Sequence, residues 1–309
     1  MEKVCVLMTC YNPKKYILEQ IDSIIKQEGV IVDLVIGDDC STEKTWLNEV
    51  KKVVGVQIIE GENNLGVAQN ILTLIKFAQN NRKEYHYFAY SDQDDVWKTD
   101  KLITGISELK NLDDNKPCLY YSNLMVVNEN LSEMFCLFKK GIVKNNLGQG
   151  LSQIFAFACT FVFNSRMLRE ITVQPIELLG FDHLVYYIAI IRGESFFDDN
   201  PHIYYRQHGD NVSGVKNKGI KHLLTRMYVF NKGNNDTARA GGSTFKNTAM
   251  YLRKYFCDDL NENELIIVNK VADYSSLFSR IKIIFDKDIR AGYQPKDFYR
   301  ALRLIIGNY

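Results

Sequence analysis

The first half of the chain alternates short apolar runs with amphipathic helical patterns, and this alternation limits the possible fold more than any other feature. Val4–Met8, Leu34–Ile36 and Val56–Ile59 are apolar runs typical of buried strands. A fourth run, Tyr87–Tyr90, is aromatic. Helical patterns separate the runs, as in Val67–Ala78, where apolar residues recur three and four positions apart. This order predicts a parallel sheet with right-handed crossovers and helices on its faces.

The fourth run ends in a cluster of acids that indicates a bound cation. Asp92, Asp94 and Asp95 place three carboxylates within four residues. Carboxylates this close repel each other, and burying them unpaired is costly. Oxygen ligands at the carboxyl end of a strand suit Mg²⁺ or Mn²⁺, which bind substrate phosphates. The segment therefore indicates a metal that holds a diphosphate, and the alternative is an acidic turn capping a helix that begins at Val96–Trp97.

Polar residues also follow the other predicted strands. Asn12 and Pro13 come after the first strand and predict a helix N-terminus there. Asp38 and Asp39 follow the second strand, where they either lie beside a helix cap or bond a base or ribose. Asn70 lies near the start of the third helix and would face a ligand or water.

The middle of the chain offers three further candidates. Residues 139–150 are rich in Lys, Asn and Gly and predict a loop, and Ile154–Phe163 predicts a strand. Asp182 opens a buried helix, either as an N-terminal helix carboxylate or as a general base. Arg206 could pair a phosphate, and His208 could ligate the metal or have a structural role.

Composition excludes several classes of protein. The 309 residues carry a net charge of +1, which argues against a dedicated nucleic-acid binder. None of the seven cysteines forms a CxxC pair, which argues against structural zinc. The dinucleotide and P-loop glycine motifs are missing. No signal peptide or run of about 18 apolar residues is visible, so we expect a cytoplasmic protein.

The last third differs from the rest of the chain because basic residues accompany its amphipathic helical patterns. We expect a helical region over 215–309, separate from a domain over 1–214. Its basic faces either contact water or dock on anionic lipid at the inner face of the membrane.

Six motifs in a fixed order together resemble family 2 of the inverting, sugar-nucleotide-dependent glycosyltransferases. They are TCYNP, IGDDCS, NLGVAQN, SDQDDVWKTDK, FDHL and YRQHGDNVSG. The acidic motif and the last motif are similar to the branch that contains polysaccharide and O-antigen rhamnosyltransferases. The resemblance covers residues 3–214. It implies a GT-A fold, which is a Rossmann-like mixed sheet flanked by helices, for the catalytic domain.

The resemblance also implies roles for individual residues. Asp182 would be the catalytic base, and Asp94, His208 and Asp92 would hold Mn²⁺ or Mg²⁺. Residues implied to lie along the nucleotide-sugar are Thr9, Tyr11, Asp38, Asp39, Asn64, Gly66, Asn70 and Asp92. Ala158 stands where the family often has glycine, and its methyl group would narrow the acceptor pocket.

The implied reaction moves a sugar from a nucleotide donor to a saccharide acceptor, either free or lipid-linked, in cell-surface polysaccharide synthesis. Rhamnose from dTDP-rhamnose is the favoured donor, with UDP-glucose or UDP-galactose next. Two other classes stay open: a metal phosphohydrolase, and a sugar-nucleotide-binding protein without catalysis.

Overall fold

The computed structural model describes residues 1–13, 15–176, 179–208 and 245–306. Within these ranges it forms one mixed β-sheet with helices on both faces and a set of C-terminal helices, as the sequence predicts. The predicted domain boundary at 214/215 lies outside the described residues.

The sheet has nine strands in the described ranges. They are β1 (Glu2–Cys10), β2 (Val30–Asp38), β3 (Val56–Glu60), β4 (Tyr87–Ser91), β5 (Val96–Trp97), β6 (Cys118–Val127), β7 (Glu133–Cys136), β8 (Val162–Asn164) and β9 (Glu194–Arg206). Their order is β3-β2-β1-β4-β8-β6-β9-β5, and β7 pairs with β6.

Strand direction brings several polar chain ends to one edge of the sheet. β1 pairs in parallel with β2 and β4, so the ends of all three lie at the same edge. β8 is antiparallel to both β4 and β6, and β9 is parallel to β6. The carboxyl end of β9, with Arg206 and His208, therefore lies at this edge too.

The helices pack on both faces of the sheet. They are α1 (Ile17–Ile25), α2 (Thr45–Val50), α3 (Val67–Asn80), α4 (Lys101–Leu109), α5 (Leu147–Ser152), α6 (Ser165–Thr172), α7 (Phe181–Arg192), α8 (Phe245–Phe256), α9 (Glu262–Asp273), α10 (Leu277–Phe285) and α11 (Gln294–Ile306). Side chains alternate along β1: Val4 and Val6 join the core under α1, α2 and α4, while Cys5 and Leu7 join the core under α3, α6 and α7.

The C-terminal helices share the second of these cores. Ile283 of α10 and Leu304 of α11 are fully buried in the same cluster as Leu184 of α7. Polar contacts strengthen the attachment, because buried Arg300 donates to Ser152 Oγ at 2.9 Å. Gly148 is required at this junction, since a Cβ there would lie 1.8 Å from the Asp288 carbonyl oxygen. The helices are thus packed onto α5 and α7.

Four local predictions are wrong, and for Asn12 and Val96–Trp97 a tertiary contact is the reason. Asn12 does not cap α1, which begins at Ile17; its side chain instead accepts the Thr42 backbone N–H at 2.8 Å. Val96–Trp97 forms strand β5 beside β9 and does not begin a helix. Most of Ile154–Phe163 is irregular, with a 3₁₀ turn over 158–160 ahead of β8. The predicted loop over 139–150 contains the start of buried α5.

Candidate active site

The acidic turn, residues 92–95, lies where β4 ends and is joined there to the end of β9. Asp94 Oδ2 lies 2.8 Å from His208 Nε2, although the two residues are 114 positions apart. The His208 ring packs on Tyr16 with ring centroids 5.1 Å apart. The fold therefore brings together two of the three residues implied to hold the metal.

Arg206 fixes the backbone of the acidic turn. Its Nε donates to the Asp94 carbonyl oxygen at 2.9 Å, and its backbone N–H donates to Asp95 Oδ1 at 3.0 Å. A further donor bonds the Glu129 carbonyl oxygen, and another pairs with Glu19. The side chain is only 2% exposed. These contacts make Arg206 a positioning residue here, and its suggested phosphate contact stays a prediction.

A buried polar cluster lies behind the turn. Ligand atoms of Asp92, Asp95 and Cys159 lie within 4.8 Å of one another. Lys101 is fully buried, and its Nζ lies 3.1 Å from the centre of the Trp97 ring. Neither Asp95 Oδ2 nor Lys101 Nζ has a hydrogen-bond partner in the described part of the chain.

The electrostatics of this cluster favour a cation beside Asp94 over a cation held among Asp92, Asp95 and Cys159. Burial, followed by the charges of Asp94 and Asp182, raises the pKa of Asp92 to about 7. Burial raises the pKa of the Cys159 thiol well above its usual value, so this soft ligand stays protonated. Lys101 also lies near Asp95 and Asp92, and burial lowers the pKa of its amine well below the usual value. Asp92, Asp94 and His208 are the better donor set for a hard divalent cation.

Asp182 lies at the N-terminus of α7, directed at the same edge. Its carboxylate accepts the backbone N–H groups of Ala158 and of Asp182 itself, which lower its pKa, but burial dominates and raises the pKa to about 6. The neighbouring Phe181 ring packs on Tyr90 of β4 at 5.1 Å between centroids. Asp182 is close enough to raise the pKa of Asp92. An acidic group with this pKa can accept a proton near neutral pH.

On the β2 side of the edge, carboxylates bind the protein's own backbone. Asp39 accepts the N–H groups of Leu65 at 2.9 Å and Gly66 at 2.8 Å, which fixes the loop before α3. Gly66 has φ 86°, in the region that favours glycine. Asp38 accepts the backbone N–H and the hydroxyl of Ser41.

Asn70 is buried against the same strand ends. Its Nδ2 donates to the Gly37 carbonyl oxygen at 2.7 Å, and a Cβ at Gly37 would lie 2.2 Å from Asn70 Oδ1. Asp38, Asp39 and Asn70 line a cavity of ≈ 270 Å³ between β2 and α3. Three of the residues implied to contact the nucleotide therefore share one cavity.

The other implied contacts lie nearby with different exposure. Thr9 Oγ1 lies 2.6 Å from the Tyr90 hydroxyl and is nearly buried. The Tyr11 side chain is 43% exposed, and its backbone bonds Gln93 of the acidic turn in both directions. Asn64 is exposed on the loop before α3.

Several residues that build the site were not predicted from the sequence to have a role. Two of these residues could have been found from the sequence. Asp95 belongs to the run of acidic residues, and Lys101 is a lysine at the first position of a helix, where its charge opposes the helix dipole. Gln93 and Tyr16 had no such signal, because only their partners far along the chain define their roles. A larger cavity of ≈ 810 Å³, between residues 144–149 and the C-terminal helices, is lined by none of the predicted site residues.

Comparison with known proteins assigns the family. The pattern that describes "Glycosyl transferase family 2" matches residues 5–172, more than half of the chain. The chain belongs to glycosyl transferase family 2. It is therefore an enzyme that transfers a sugar. The matched region includes the acidic turn and ends before Asp182 and His208.

Curated relatives and solved structures agree with this assignment. The chain is 30% identical over 226 residues to a protein named "dTDP-rhamnosyl transferase RfbG" from Shigella flexneri, covering 67% of this chain and 74% of the relative. It is also 30% identical over 128 residues to "UDP-Glc:alpha-D-GlcNAc-diphosphoundecaprenol beta-1,3-glucosyltransferase WfaP" from Escherichia coli, covering 41% of this chain and 47% of the relative.

The fold resembles that of S. aureus TarS residues 1–349, solved in complex with UDP-GlcNAc. The TM-score is 0.55 at 16% identity, covering 99% of this chain and 89% of TarS 1–349. This likeness supports the GT-A fold. Among the described residues, no helix combines the length and the apolar character that crossing a membrane requires.

Proposed function

We propose that the protein is an inverting, metal-dependent glycosyltransferase of cell-surface polysaccharide synthesis. The observation that carries the proposal is the meeting of three groups at one edge of the sheet. These are the Asp94–His208 pair, the partly buried Asp92, and Asp182 with its pKa raised to about 6. Asp182, at the N-terminus of α7, can accept the proton of the acceptor hydroxyl. The group of Asp94, His208 and Asp92 can hold a metal that binds the leaving diphosphate.

In the proposed reaction the acceptor hydroxyl attacks the anomeric carbon in line with the departing nucleoside diphosphate. Asp182 takes the hydroxyl proton as the new bond forms. The Ala158 N–H bond holds the carboxylate in place for this step. Because the attack comes from the face opposite the leaving group, the configuration at the anomeric carbon is inverted.

Asp94, His208 and Asp92 fit a divalent ion, Mn²⁺ or Mg²⁺, because they combine oxygen ligands with one imidazole. When bound, the ion would neutralise charge on the diphosphate. Arg206 and Gln93 hold the backbone of the acidic turn so that its carboxylates keep their directions.

The donor that we favour is dTDP-rhamnose, because the relative named as a dTDP-rhamnosyl transferase from Shigella flexneri is 30% identical over 67% of this chain. A UDP-hexose is the second candidate, favoured by the glucosyltransferase from Escherichia coli over a shorter stretch. That relative's name includes a diphosphoundecaprenol acceptor, and we propose a lipid-linked saccharide acceptor here too. The base and ribose would occupy the cavity lined by Asp38, Asp39 and Asn70.

The test is a panel of sugar nucleotides that includes dTDP-rhamnose, UDP-glucose and UDP-galactose, each with Mn²⁺ or with EDTA. Binding is measured by calorimetry, and turnover by release of the nucleoside diphosphate. We expect one donor to bind, and its nucleoside diphosphate to be released slowly, only when the metal is present.

Each other class has its own outcome. Release of phosphate from simple phosphomonoesters, with no response to any sugar nucleotide, would favour a phosphohydrolase. Tight donor binding without turnover on any acceptor would favour a binding protein that has lost catalysis.

A further inference from the structure

Large apolar side chains are exposed far more densely on α10 and α11 than elsewhere. The described part of residues 1–208 exposes ten of them. The 30 residues of 277–306 expose seven: Leu277, Phe278, Ile281, Phe285, Phe298, Ile305 and Ile306. Exposed apolar clusters of this kind mark interaction surfaces.

On each helix the exposed side chains form one stripe. Phe278, Ile281 and Phe285 follow one another three and four positions apart on α10 and are 68%, 39% and 73% exposed. Ile283, on the opposite side, is fully buried. The same holds on α11, where Phe298 and Ile305 are exposed and Leu304 is buried. Both helices therefore use one face for the core and leave an apolar face outside.

The charges around this surface are basic. Residues 277–306 contain seven Lys and Arg and three Asp. Without Arg300, which is buried and bonded to Ser152, their net charge is +3 in a chain whose total is +1. Helix α10 itself contains no acidic residue. Lys282 Nζ lies 4.6 Å from the Phe278 ring centre, beside the exposed stripe. Lys287 and Arg290, between the two helices, are exposed.

We propose that the exposed apolar stripes of the two helices dock on an anionic lipid bilayer. These stripes, called here the α10–α11 face, consist of Phe278, Ile281, Phe285, Phe298 and Ile305. Amphipathic helices with aromatic and aliphatic residues on one face and basic residues beside it lie in the membrane interface, with the apolar face among the lipid chains. Basic residues add attraction to anionic headgroups. A second copy of the chain fits less well, because a twofold contact through this face would oppose the same basic residues.

Docking would also orient the catalytic site. The inward side chains of α10 and α11 share a core with α7, which carries Asp182 at its N-terminus. The usefulness of docking for catalysis rests on the lipid-linked acceptor proposed above, whereas docking itself does not.

The experiment measures co-sedimentation of the full chain with vesicles of phosphatidylcholine, alone or mixed with phosphatidylglycerol, without donor or acceptor. We expect binding to the anionic vesicles. The double variant Phe278→Ser, Phe285→Ser should bind at least about tenfold more weakly. Lys282→Gln should lower binding about fivefold.

Matched controls replace exposed residues elsewhere. Val54→Ser with Val173→Ser removes two side chains that are 90% and 70% exposed, and Lys83→Gln removes an exposed charge. These variants should bind as the wild type does. Circular dichroism checks that each variant is folded.

Two results would overturn the proposal. One is the absence of wild-type binding to anionic vesicles, or binding that Phe278→Ser with Phe285→Ser leaves unchanged. The other is a dimer in solution that the same double variant dissociates, without vesicle binding, which would assign the face to a second copy. Donor turnover is measured without vesicles, so failure of the proposed function and failure of docking are separate results.

Discussion

The two sides of the candidate active site, at the ends of β2 and β4, use similar acidic residues in opposite ways. On the β2 side, Asp38 and Asp39 bind backbone N–H groups and a hydroxyl of the protein itself. On the β4 side, Asp92 and Asp182 have raised pKa values, and Asp95 Oδ2 has no partner among the described residues. The β2 side therefore shapes a cavity, while the β4 side gathers acidic groups whose charged form a bound cation would stabilise.

The sharpest test of this difference is Asp182→Asn, for which we expect the largest effect. Asparagine keeps the shape and still accepts the Ala158 N–H, but it cannot take a proton. Transfer should fall by about 10³-fold while donor affinity stays unchanged. On the same preparation, steady-state kinetics measure transfer and calorimetry measures donor affinity. Transfer at the wild-type rate would place the base elsewhere.

The pH profile of the wild type sharpens the same assignment. A general base acts in its deprotonated form, and the pKa of Asp182 is raised to about 6. Donor-saturated turnover should therefore fall as the pH drops through about 6 and level off above it. A profile that is flat from pH 5 to pH 8 would be inconsistent with Asp182 as the base.

Asp94→Ala should have the next largest effect, a loss of about 100-fold in kcat/KM, because it removes one of the proposed metal ligands and the partner of His208. A titration with Mn²⁺ measures whether affinity for the ion falls in parallel. The matched control is Asp22→Ala, which removes an exposed carboxylate paired with Lys26 on α1. Near-normal turnover at saturating Mn²⁺ would contradict the role of Asp94.

Asp39→Ala tests the β2 side, and the expected result is smaller and different in kind. The N–H groups of Leu65 and Gly66 would lose their acceptor, which costs about 1–3 kcal/mol in the free energy of unfolding. Donor affinity should fall about tenfold because the cavity wall loosens, with little change in kcat. A large fall in kcat with unchanged donor affinity would break the comparison between the two sides.

A paired cluster of His202, Asp100 and Asp198 lies away from this edge. A variant of this cluster should have the smallest effect. His202 lies 2.9 Å from Asp100 and 3.1 Å from Asp198. Burial alone would lower the pKa of His202, but the bonds to Asp198 and Asp100 outweigh it and raise the pKa above 6.5. The same contact lowers the pKa of Asp198 below 3.8, against the effect of burial.

The sign of the resulting pH dependence follows from these shifts. The His202 contribution is complete below pH 6.5 and is lost as the pH rises through the raised pKa, while that of Asp198 is lost only as the pH falls below 3.8. His202→Gln should therefore destabilise the protein by about 1–3 kcal/mol near pH 5 and by less at pH 9. Urea unfolding at both pH values measures this. The exposed His86→Gln is the control, and an equal loss at both pH values would contradict the pairing.

Sequence patterns predicted strands β1, β2 and β4 and the polar residues at their ends, because both depend on local order. The apolar runs of β1, β2 and β4 each end in polar residues, and parallel pairing alone implies that such ends meet at one edge. Local capping signals failed where a distant group competed for the same side chain. Asn12 binds the loop after β2 instead of α1, and Val96 pairs with Tyr204 of β9.

The sequence by itself determined the fold class, and it named the acidic turn, Asp182 and His208 as candidates for the site. The tertiary structure alone decided which of these groups are partnered. Whether a carboxylate binds the protein's backbone, as Asp39 does, or is partly buried with a raised pKa, as Asp92 is, depends on groups that are distant in sequence. The same reason explains Arg206, whose donors are directed at the acidic turn, Glu129 and Glu19 because the fold brings the end of β9 beside them. Burial and partner geometry are properties of the packed chain, and no local pattern contains them.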